Sequence, residues 1–183
     1  MNQTEISNVE GVRLLQASCH SDDRGTFKRF PLFNGISKDF SYTAISINPD
    51  VATIRGLHFQ RHPHTEEKLV TCISGKLFDV IVDLRVESLT YGKWAATELS
   101  SDNSIQLFLP RGIAHGYQVL APNTIVQYTL SGSDYSSHVV SINPLGDLQI
   151  TWPLEPGKIA QKDLAGHDFP LASTIYSQSL GKK

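Results

Sequence analysis

The most regular β-strand pattern in the chain is the stretch Leu77-Phe78-Asp79-Val80-Ile81-Val82-Asp83-Leu84. Successive side chains of a strand point to opposite faces, so the four apolar side chains at alternate positions from Phe78 to Leu84 share one face. The opposite face mixes apolar side chains with Asp79 and Asp83. We therefore expect the first face to pack in the core. The second face would meet solvent, which is the commoner case, or a polar cavity inside a barrel.

This stretch is one of eight short runs of β-branched and aromatic residues. They are Ser41–Asn48, Thr53–Gln60, Lys68–Ser74, Lys76–Asp83, Trp94–Leu99, Ile105–Leu109, His115–Leu120 and Thr124–Leu130. Turn-forming residues such as Asn48-Pro49-Asp50 and Pro110-Arg111-Gly112 separate them. Short strands at intervals of about ten residues are typical of a β-sandwich or barrel. The sequence therefore predicts an all-β fold.

The length of 183 residues favours a single domain over residues 1–183. We expect its barrel core at about residues 40–152, preceded by a strand pair that turns at Asp22-Asp23-Arg24-Gly25. Residues 153–183 contain several Pro and Gly residues and no sustained helical periodicity. They predict turns or short helices that pack on the barrel.

The charge balance and the chain ends limit the class of protein. There are 16 Lys and Arg residues against 18 Asp and Glu, a formal net charge of −2, which argues against a nucleic-acid binder. Cys19 and Cys72 have no zinc-type spacing, and residues 1–10 lack the pattern of a signal peptide. No apolar run approaches the roughly 20 residues of a membrane-spanning helix. We expect a cytoplasmic protein with no membrane contact.

The seven histidines suggest a metal site as one hypothesis. His62, His64 and Glu67 approximate the first metal motif of the cupins, and Pro110-Arg111-Gly112-Ile113-Ala114-His115 matches the second, Pro-x-Gly-x-x-His. Histidine and carboxylate ligands suit a divalent transition metal. However, the spacing from His64 to Glu67 is shorter than the usual pattern, so a solvent-exposed loop explains His62 and His64 at least as well.

A longer set of motifs points to another interpretation. It comprises Arg55-Gly56-Leu57-His58-Phe59-Gln60, Lys68-Leu69-Val70, Gly75, Phe78-Asp79-Val80, Val82-Asp83-Leu84-Arg85, Tyr91-Gly92-Lys93-Trp94, Gln106-Leu107-Phe108-Leu109-Pro110, Ala114-His115-Gly116 and Trp152-Pro153. In this order, over about Asp22 to Asp163, the chain resembles the dTDP-4-dehydrorhamnose 3,5-epimerase family. The resemblance implies a cupin-type double-stranded β-helix, that is a jelly-roll barrel, which works as a homodimer without metal or cofactor.

The implied reaction is epimerisation at C3 and/or C5 of a nucleotide-linked 4-keto-6-deoxy sugar, in deoxysugar or surface-polysaccharide synthesis. By resemblance, His58 is the base and Tyr128 the acid, and an imidazole and a phenol have suitable ordinary pKa values for these tasks. The other positions that match substrate-binding residues are Arg24, Arg55, Gln60, Lys68, His115 and Lys162. Lys68 would lie near the developing oxyanion. Ketoisomerisation of the same substrates is a close variant, because it shares the enolate intermediate.

Four positions depart from the family pattern. Arg29 stands where the family has Glu, and Thr43 and Ile45 replace polar residues, so the nucleotide need not be thymidine. Gln161 falls where we expect the carboxylate that orients the base. Asp163 or Asp79 would then have to orient His58 instead. If neither does, a non-catalytic protein that binds sugar nucleotides becomes an alternative.

Overall fold

The computed structural model describes residues 3–5, 9–31, 40–132 and 136–181, and most of them form antiparallel strands. The strands are β1 (Gln3–Glu5), β2 (Arg13–Gln16), β3 (Ser18–Asp22), β4 (Gly25–Arg29), β5 (Phe40–Asn48), β6 (Ile54–Gln60), β7 (Lys68–Ser74), β8 (Lys76–Asp83), β9 (Trp94–Ser100), β10 (Ile105–Leu109), β11 (Ile113–Val119), β12 (Thr124–Ser131) and β13 (Val139–Ser141). The helices are a 3₁₀ turn (Ser136–His138), α1 (Gln161–Leu164) and α2 (Phe169–Leu180). The prediction of an all-β fold followed by C-terminal helices is confirmed.

The strands form two facing sheets with the connectivity of a jelly roll. One sheet has the order β1-β2-β10-β7-β12-β5 and the other β13-β6-β11-β8-β9. A separate ribbon pairs β3 with β4 across the predicted turn between Asp22 and Gly25. Each of the eight predicted runs coincides with a strand from β5 to β12, with small differences at the ends. Alternation and turn residues were therefore sufficient to locate these strands.

The interior between the sheets is apolar at one end. Leu77 and Ile81 of β8 pack there with Val70, Leu107 and Val126 from the opposite sheet. The expectation of a solvent-facing side for this strand is wrong, because Asp79 and Asp83 on the same face are both fully buried. Each carboxylate is instead paired with a cationic or ionisable side chain, Asp79 with His115 and Asp83 with Arg85.

The C-terminal segment covers the outer face of the five-stranded sheet. Val80, Val82 and Leu84 of β8 pack against Ala172 and Tyr176 of α2. This helix has 12 residues and is longer than the short pieces we expected. Small and polar residues alternate with its apolar ones, so the sequence shows no clear helical stripe. In the described part of the chain, no helix is both long enough and apolar enough to span a membrane.

Candidate active site

Between the two sheets lies a cavity of about 390 Å³ that collects most of the predicted site residues. Those that line it are Arg55, His58, Gln60, Lys68, His115, Tyr128, Lys162 and Asp163. His58 and His115 come from β6 and β11 of one sheet, whereas Lys68 and Tyr128 come from β7 and β12 of the other. His58 and Tyr128 therefore approach the cavity from opposite sheets.

An irregularity in β6 brings Arg55 and His58 to the same side of the strand. Regular alternation would place residues three apart on opposite faces. The register with β11 shifts here, so that His58 lies opposite His115 and Arg55 lies opposite Tyr117. A Cβ atom on Gly56, which has φ +104°, would lie 2.6 Å from the His115 carbonyl oxygen, so the glycine permits the close approach of the two strands.

The His58 imidazole is held by a buried carboxylate. Its Nε2 lies 2.7 Å from Asp163 Oδ1, and the Asp163 side chain is only 2% exposed. The second oxygen, Oδ2, accepts a hydrogen bond from the Gly56 backbone N–H at 3.2 Å, and the Ser141 hydroxyl donates to Oδ1 at 3.3 Å. An ionised Asp163 fixes Nε2–H as the donor of the neutral ring. The lone pair that can accept a proton is then on Nδ1.

Burial raises the pKa of Asp163, but the hydrogen bonds and charge of His58 and the Gly56 N–H outweigh it, so that the pKa lies below its usual value. The carboxylate is thus ionised at neutral pH. Gln161 is exposed at the start of α1 and does not line the cavity. Our alignment of the orienting carboxylate with Gln161 is therefore wrong. It misplaced the carboxylate by two positions, since Asp163 itself contacts His58.

Asp79 does not contact His58 either. Its Oδ2 lies 2.8 Å from Nε2 of His115, and both side chains are buried. Burial raises the pKa of Asp79, opposed by His115 and Lys68. The Asp79 carboxyl therefore fixes the ring orientation of His115, the second histidine in the cavity.

Tyr128 lies close to the second histidine and to another tyrosine. Its ring is 6.0 Å from the His115 ring in an edge-to-face arrangement. Burial raises the pKa of Tyr128 well above its usual value, and the hydroxyl group of Tyr117, which is hydrogen-bonded to it, adds to the effect. The phenol is therefore protonated throughout the neutral range and can act as a proton donor.

Lys68 belongs to a row of polar side chains along one wall of the cavity. Its Nζ lies 3.2 Å from Glu66 Oε1, and Gln60 Nε2 donates to Glu66 Oε2 at 2.9 Å. The Glu66 side chain is only 8% exposed. Glu66 was not predicted as a site residue, because a lone carboxylate in a loop belongs to no motif. Its closeness to Lys68 in sequence was the only available signal.

Arg55 is held at the opposite end of the cavity by β5. Its Nε donates to Asn48 Oδ1 at 2.8 Å, and the Tyr117 hydroxyl donates to Ser46 at 2.9 Å beside it. These contacts hold the guanidinium group at the rim, where its remaining N–H groups can bind an anion. Ser46, Asn48 and Tyr117 were not selected from the sequence either.

The structure does not bring Arg24 to this cavity. It lies in the exposed turn of the β3–β4 ribbon, where Nη2 is 2.5 Å from Asp22 Oδ2. Arg29 is also exposed on the ribbon, 5.6 Å above the Phe27 ring. Thr43 and Ile45 lie on the outer face of β5 and do not line the cavity. The positions Arg29, Thr43 and Ile45, which depart from the family pattern, therefore lie outside the cavity formed by the same chain.

The residues of the metal hypothesis do not converge. His115 points to Asp79, His64 packs against His138 with ring centroids 4.2 Å apart, and the Glu67 N–H bonds to Ser131. Among the described residues, no three His, Cys, Asp or Glu side chains are arranged to hold a metal ion. The set His62, His64, Glu67 and His115 is therefore not a metal centre in this structure.

Comparison with known proteins identifies relatives over most of the chain. The family model described as dTDP-4-dehydrorhamnose 3,5-epimerase matches residues 6–170. A dTDP-4-dehydrorhamnose 3,5-epimerase of Sinorhizobium fredii is 37% identical over 136 residues, which are 72% of this chain and 70% of the relative.

Solved structures agree with the sequence comparison. The dTDP-4-dehydrorhamnose 3,5-epimerase of Bacillus anthracis, with TDP and PPi bound, has a TM-score of 0.84 and 34% identity, and the match covers 91% of this chain and 99% of that one. NovW, a 4-keto-6-deoxy sugar epimerase from the novobiocin gene cluster of Streptomyces spheroides, has a TM-score of 0.89 and 27% identity, covering 98% and 95%.

Proposed function

The chain belongs to the dTDP-4-dehydrorhamnose 3,5-epimerase family, and we propose that it epimerises C3 and/or C5 of a nucleotide-linked 4-keto-6-deoxy sugar. It is therefore an isomerase that needs no redox change in its substrate. The relative from Bacillus anthracis binds TDP and PPi, which supports a nucleoside diphosphate as the carrier of the sugar.

The first step is removal of a proton from the carbon next to the ketone. Nδ1 of His58 accepts this proton, and the electron pair of the broken C–H bond moves toward the carbonyl oxygen to form an enolate. Asp163 stabilises the resulting imidazolium, because its ionised carboxylate lies 2.7 Å from Nε2. Asp163 thus holds the imidazole with Nδ1 free to accept the proton.

The second step returns a proton to the opposite face of the same carbon. Tyr128 supplies it from the other sheet, and the enolate collapses back to the ketone with inverted configuration. The raised pKa of Tyr128 suits this role, because the phenol carries its proton at any neutral pH. The protons on Tyr128 and His58 then re-equilibrate with solvent before the next turnover.

The charge that develops on the ketone oxygen needs a cation beside it. We assign this role to Lys68, held at the cavity wall by Glu66. Arg55 and Lys162 would bind the diphosphate, and Gln60 and His115 would contact the sugar. Arg24 as a substrate-binding residue stays a prediction, since it lies outside this cavity.

The proposal rests on one observation: a histidine paired with a carboxylate and a protonated tyrosine enter the same cavity from opposite sheets. The test is incorporation of solvent deuterium at C3 and C5 of dTDP-, CDP- and GDP-linked 4-keto-6-deoxy sugars, followed by NMR. We expect exchange with at least one of them, and a His58→Gln variant should abolish it. Absence of exchange with all three substrates, in correctly folded protein, refutes the proposal.

We also propose that the protein is a homodimer. The outer face of the six-stranded sheet exposes Ile45, Ile47 and Ile73, each between 47% and 65% exposed, and a second copy would cover this apolar surface. Light scattering at micromolar concentration should give twice the chain mass. A monomer under these conditions contradicts the proposal, and Ile47→Lys should weaken a dimer that uses this face.

Two expectations from the sequence are kept as proposals. We propose a cytoplasmic location, supported by the free thiols of Cys19 and Cys72, which suit a reducing compartment. We also propose one domain over residues 1–183, with the core at about 40–152 and residues 153–183 packed on it. The covering of β8 by α2 supports this division.

A further inference from the structure

The cavity wall around Lys68 contains a carboxylate that takes no part in the proton transfers described above. Glu66, in the loop between β6 and β7, lines the candidate active site, and its side chain is only 8% exposed. Its Oε1 lies 3.2 Å from Lys68 Nζ, and its Oε2 accepts a hydrogen bond from Gln60 Nε2 at 2.9 Å. Pairing with Lys68 offsets the cost of burying this charge. Glu66 is thus placed to contact a molecule bound in the cavity.

The acceptor groups at this end of the cavity have unused capacity. Gln60 is 6% exposed, and its Oε1 is buried with no hydrogen-bond partner among the described residues. Each oxygen of an ionised carboxylate can accept two hydrogen bonds, so Glu66 can accept a donor in addition to Lys68 and Gln60. Leaving a buried acceptor unpaired costs free energy. A ligand that brings a hydroxyl group here recovers this free energy, whereas an apolar group does not.

The charge pattern indicates which part of the substrate lies beside Glu66. Arg55, at the opposite end of the cavity, is the cation proposed for the diphosphate, whereas Lys68 is already paired with Glu66. A diphosphate placed beside Glu66 would meet a carboxylate of its own sign. The uncharged sugar therefore lies at this end, and its hydroxyl groups are the available donors.

The spacing of Lys68 and Glu66 selects one hydroxyl group of the sugar. In the proposed mechanism the Lys68 ammonium group contacts the ketone oxygen on C4, and Glu66 Oε1 lies 3.2 Å from that ammonium group. Oxygens on neighbouring ring carbons are separated by about the length of one hydrogen bond. The neighbours of C4 are C3 and C5, and C5 of a 6-deoxy sugar carries a methyl group and the ring oxygen, neither of which is a donor. The hydroxyl group on C3 is the donor that fits.

We propose that Glu66 determines the substrate specificity of this site by accepting a hydrogen bond from the C3 hydroxyl group, with Gln60 Oε1 beside it as a second acceptor. This inference rests on the proposed function, because it takes the ligand to be a nucleotide-linked 4-keto-6-deoxy sugar. It restricts that class to sugars with a free hydroxyl group on C3. The chain then acts before any reaction that removes or alkylates this hydroxyl group.

The experiment compares the 4-keto-6-deoxy sugar with its 3-deoxy analogue, both on the nucleotide that the wild type accepts best. Both sugars keep hydrogen on the carbons next to the ketone, so deuterium exchange followed by NMR gives kcat/KM for each. The 2-deoxy analogue is the control for loss of a different hydroxyl group. Glu66→Gln and Glu66→Met are compared with Glu98→Gln, a matched control at an exposed glutamate that pairs with Lys76 and does not line the cavity.

We expect the wild type to prefer the 3-hydroxy sugar over the 3-deoxy analogue about 100-fold in kcat/KM, because the analogue leaves a buried charged acceptor unpaired. The 2-deoxy analogue should lose less than about 5-fold, because C2 lies one carbon farther from Lys68 and a neutral contact is weaker. Glu66→Gln keeps a neutral acceptor and should reduce the preference for the 3-hydroxy sugar to about 10-fold, and Glu66→Met should reduce it to about 3-fold. Glu98→Gln should keep the wild-type preference.

The ratio between the two sugars separates recognition from a structural role. If Glu66 only supports the cavity wall, its replacement lowers the rate with both sugars by the same factor, and an unchanged preference in Glu66→Met therefore overturns the proposal. Thermal unfolding checks the fold, and Glu66→Gln decides if Glu66→Met does not fold. Equal use of the two sugars by the wild type also overturns the proposal.

These failures leave the proposed function intact, because deuterium exchange still takes place in the wild type. If none of the sugars exchanges deuterium in correctly folded protein, the proposed function itself fails, and the assignment of Glu66 fails with it.

Discussion

Replacing Asp163 by Asn tests the central contact of the site, the 2.7 Å bond between Asp163 Oδ1 and His58 Nε2. At an effective dielectric constant of about 20, opposite unit charges at this separation attract by about 6 kcal/mol. His58 is 27% exposed, so water and salt screen the attraction, which we take to be reduced by about half. The imidazolium formed during proton abstraction then loses about 3 kcal/mol of stabilisation, which corresponds to about a 100-fold fall in kcat.

The assay is the initial rate of deuterium incorporation at C3 and C5 of the best substrate, at saturation and neutral pH. Asn is a suitable replacement because its amide oxygen can still accept the Gly56 N–H, and thermal unfolding checks that the variant folds. Gln161→Ala is the control, and it should keep the wild-type rate within about 2-fold because Gln161 is exposed. An Asp163→Asn rate within 3-fold of the wild type, or an equal loss in Gln161→Ala, would refute the assignment.

Three further results follow from contacts in the same structure. Tyr128→Phe should lower the rate of epimer formation about 100-fold, while His58 still exchanges deuterium into recovered substrate. NMR distinguishes the epimer from the deuterated substrate. An equal loss of epimer formation and of deuterium exchange contradicts the role of Tyr128 as acid. Gly56→Ala should cost more than about 3 kcal/mol in urea unfolding, because the new Cβ would lie 2.6 Å from a backbone oxygen, whereas Gly132→Ala, with nothing within 4 Å, should cost about 1 kcal/mol. Burial raises the pKa of Asp83, but its hydrogen bonds, led by that of Arg85, outweigh burial and lower the pKa overall. The ionised form therefore stabilises the fold above the usual carboxyl pKa of 3.8, and this stability is lost as the pH falls through the lowered pKa. Asp83→Asn should therefore cost about 3 kcal/mol at pH 7 and progressively less in strong acid, and a cost that does not depend on pH would contradict this.

The strands were predictable because alternation of apolar residues and turn chemistry are local properties of the sequence. The β6 irregularity was not, since a period of two assigns Arg55 and His58 to opposite faces and only the close contact of Gly56 with β11 reverses this. The length of α2 was missed for a related reason. The helix is buried by contact with the outer face of β8, and residues 169–180 show no helical periodicity from which this contact could be predicted.

The site residues that match family motifs were predictable from the sequence. The residues that only contact these side chains were not. His58, Lys68 and Tyr128 were found by resemblance and line one cavity. Glu66 and Tyr117 were missed, because their roles depend on contacts with Lys68 and Tyr128 that the sequence does not encode locally. The resemblance to the family placed the orienting carboxylate at the position of Gln161, and the hydrogen bond to His58 shows that Asp163 holds this place.

The contact between His58 and Asp163 joins residues 105 positions apart, and the carboxylate comes from the segment that follows the last strand. During synthesis from the amino terminus, every strand of both sheets leaves the ribosome before Asp163 does. A chain that stops short of Asp163 has the strands and His58 but lacks the carboxylate that is hydrogen-bonded to the His58 ring. The segment after the last strand thus completes the cavity, because both sheets can be synthesised before the residue that contacts His58 is added to the chain.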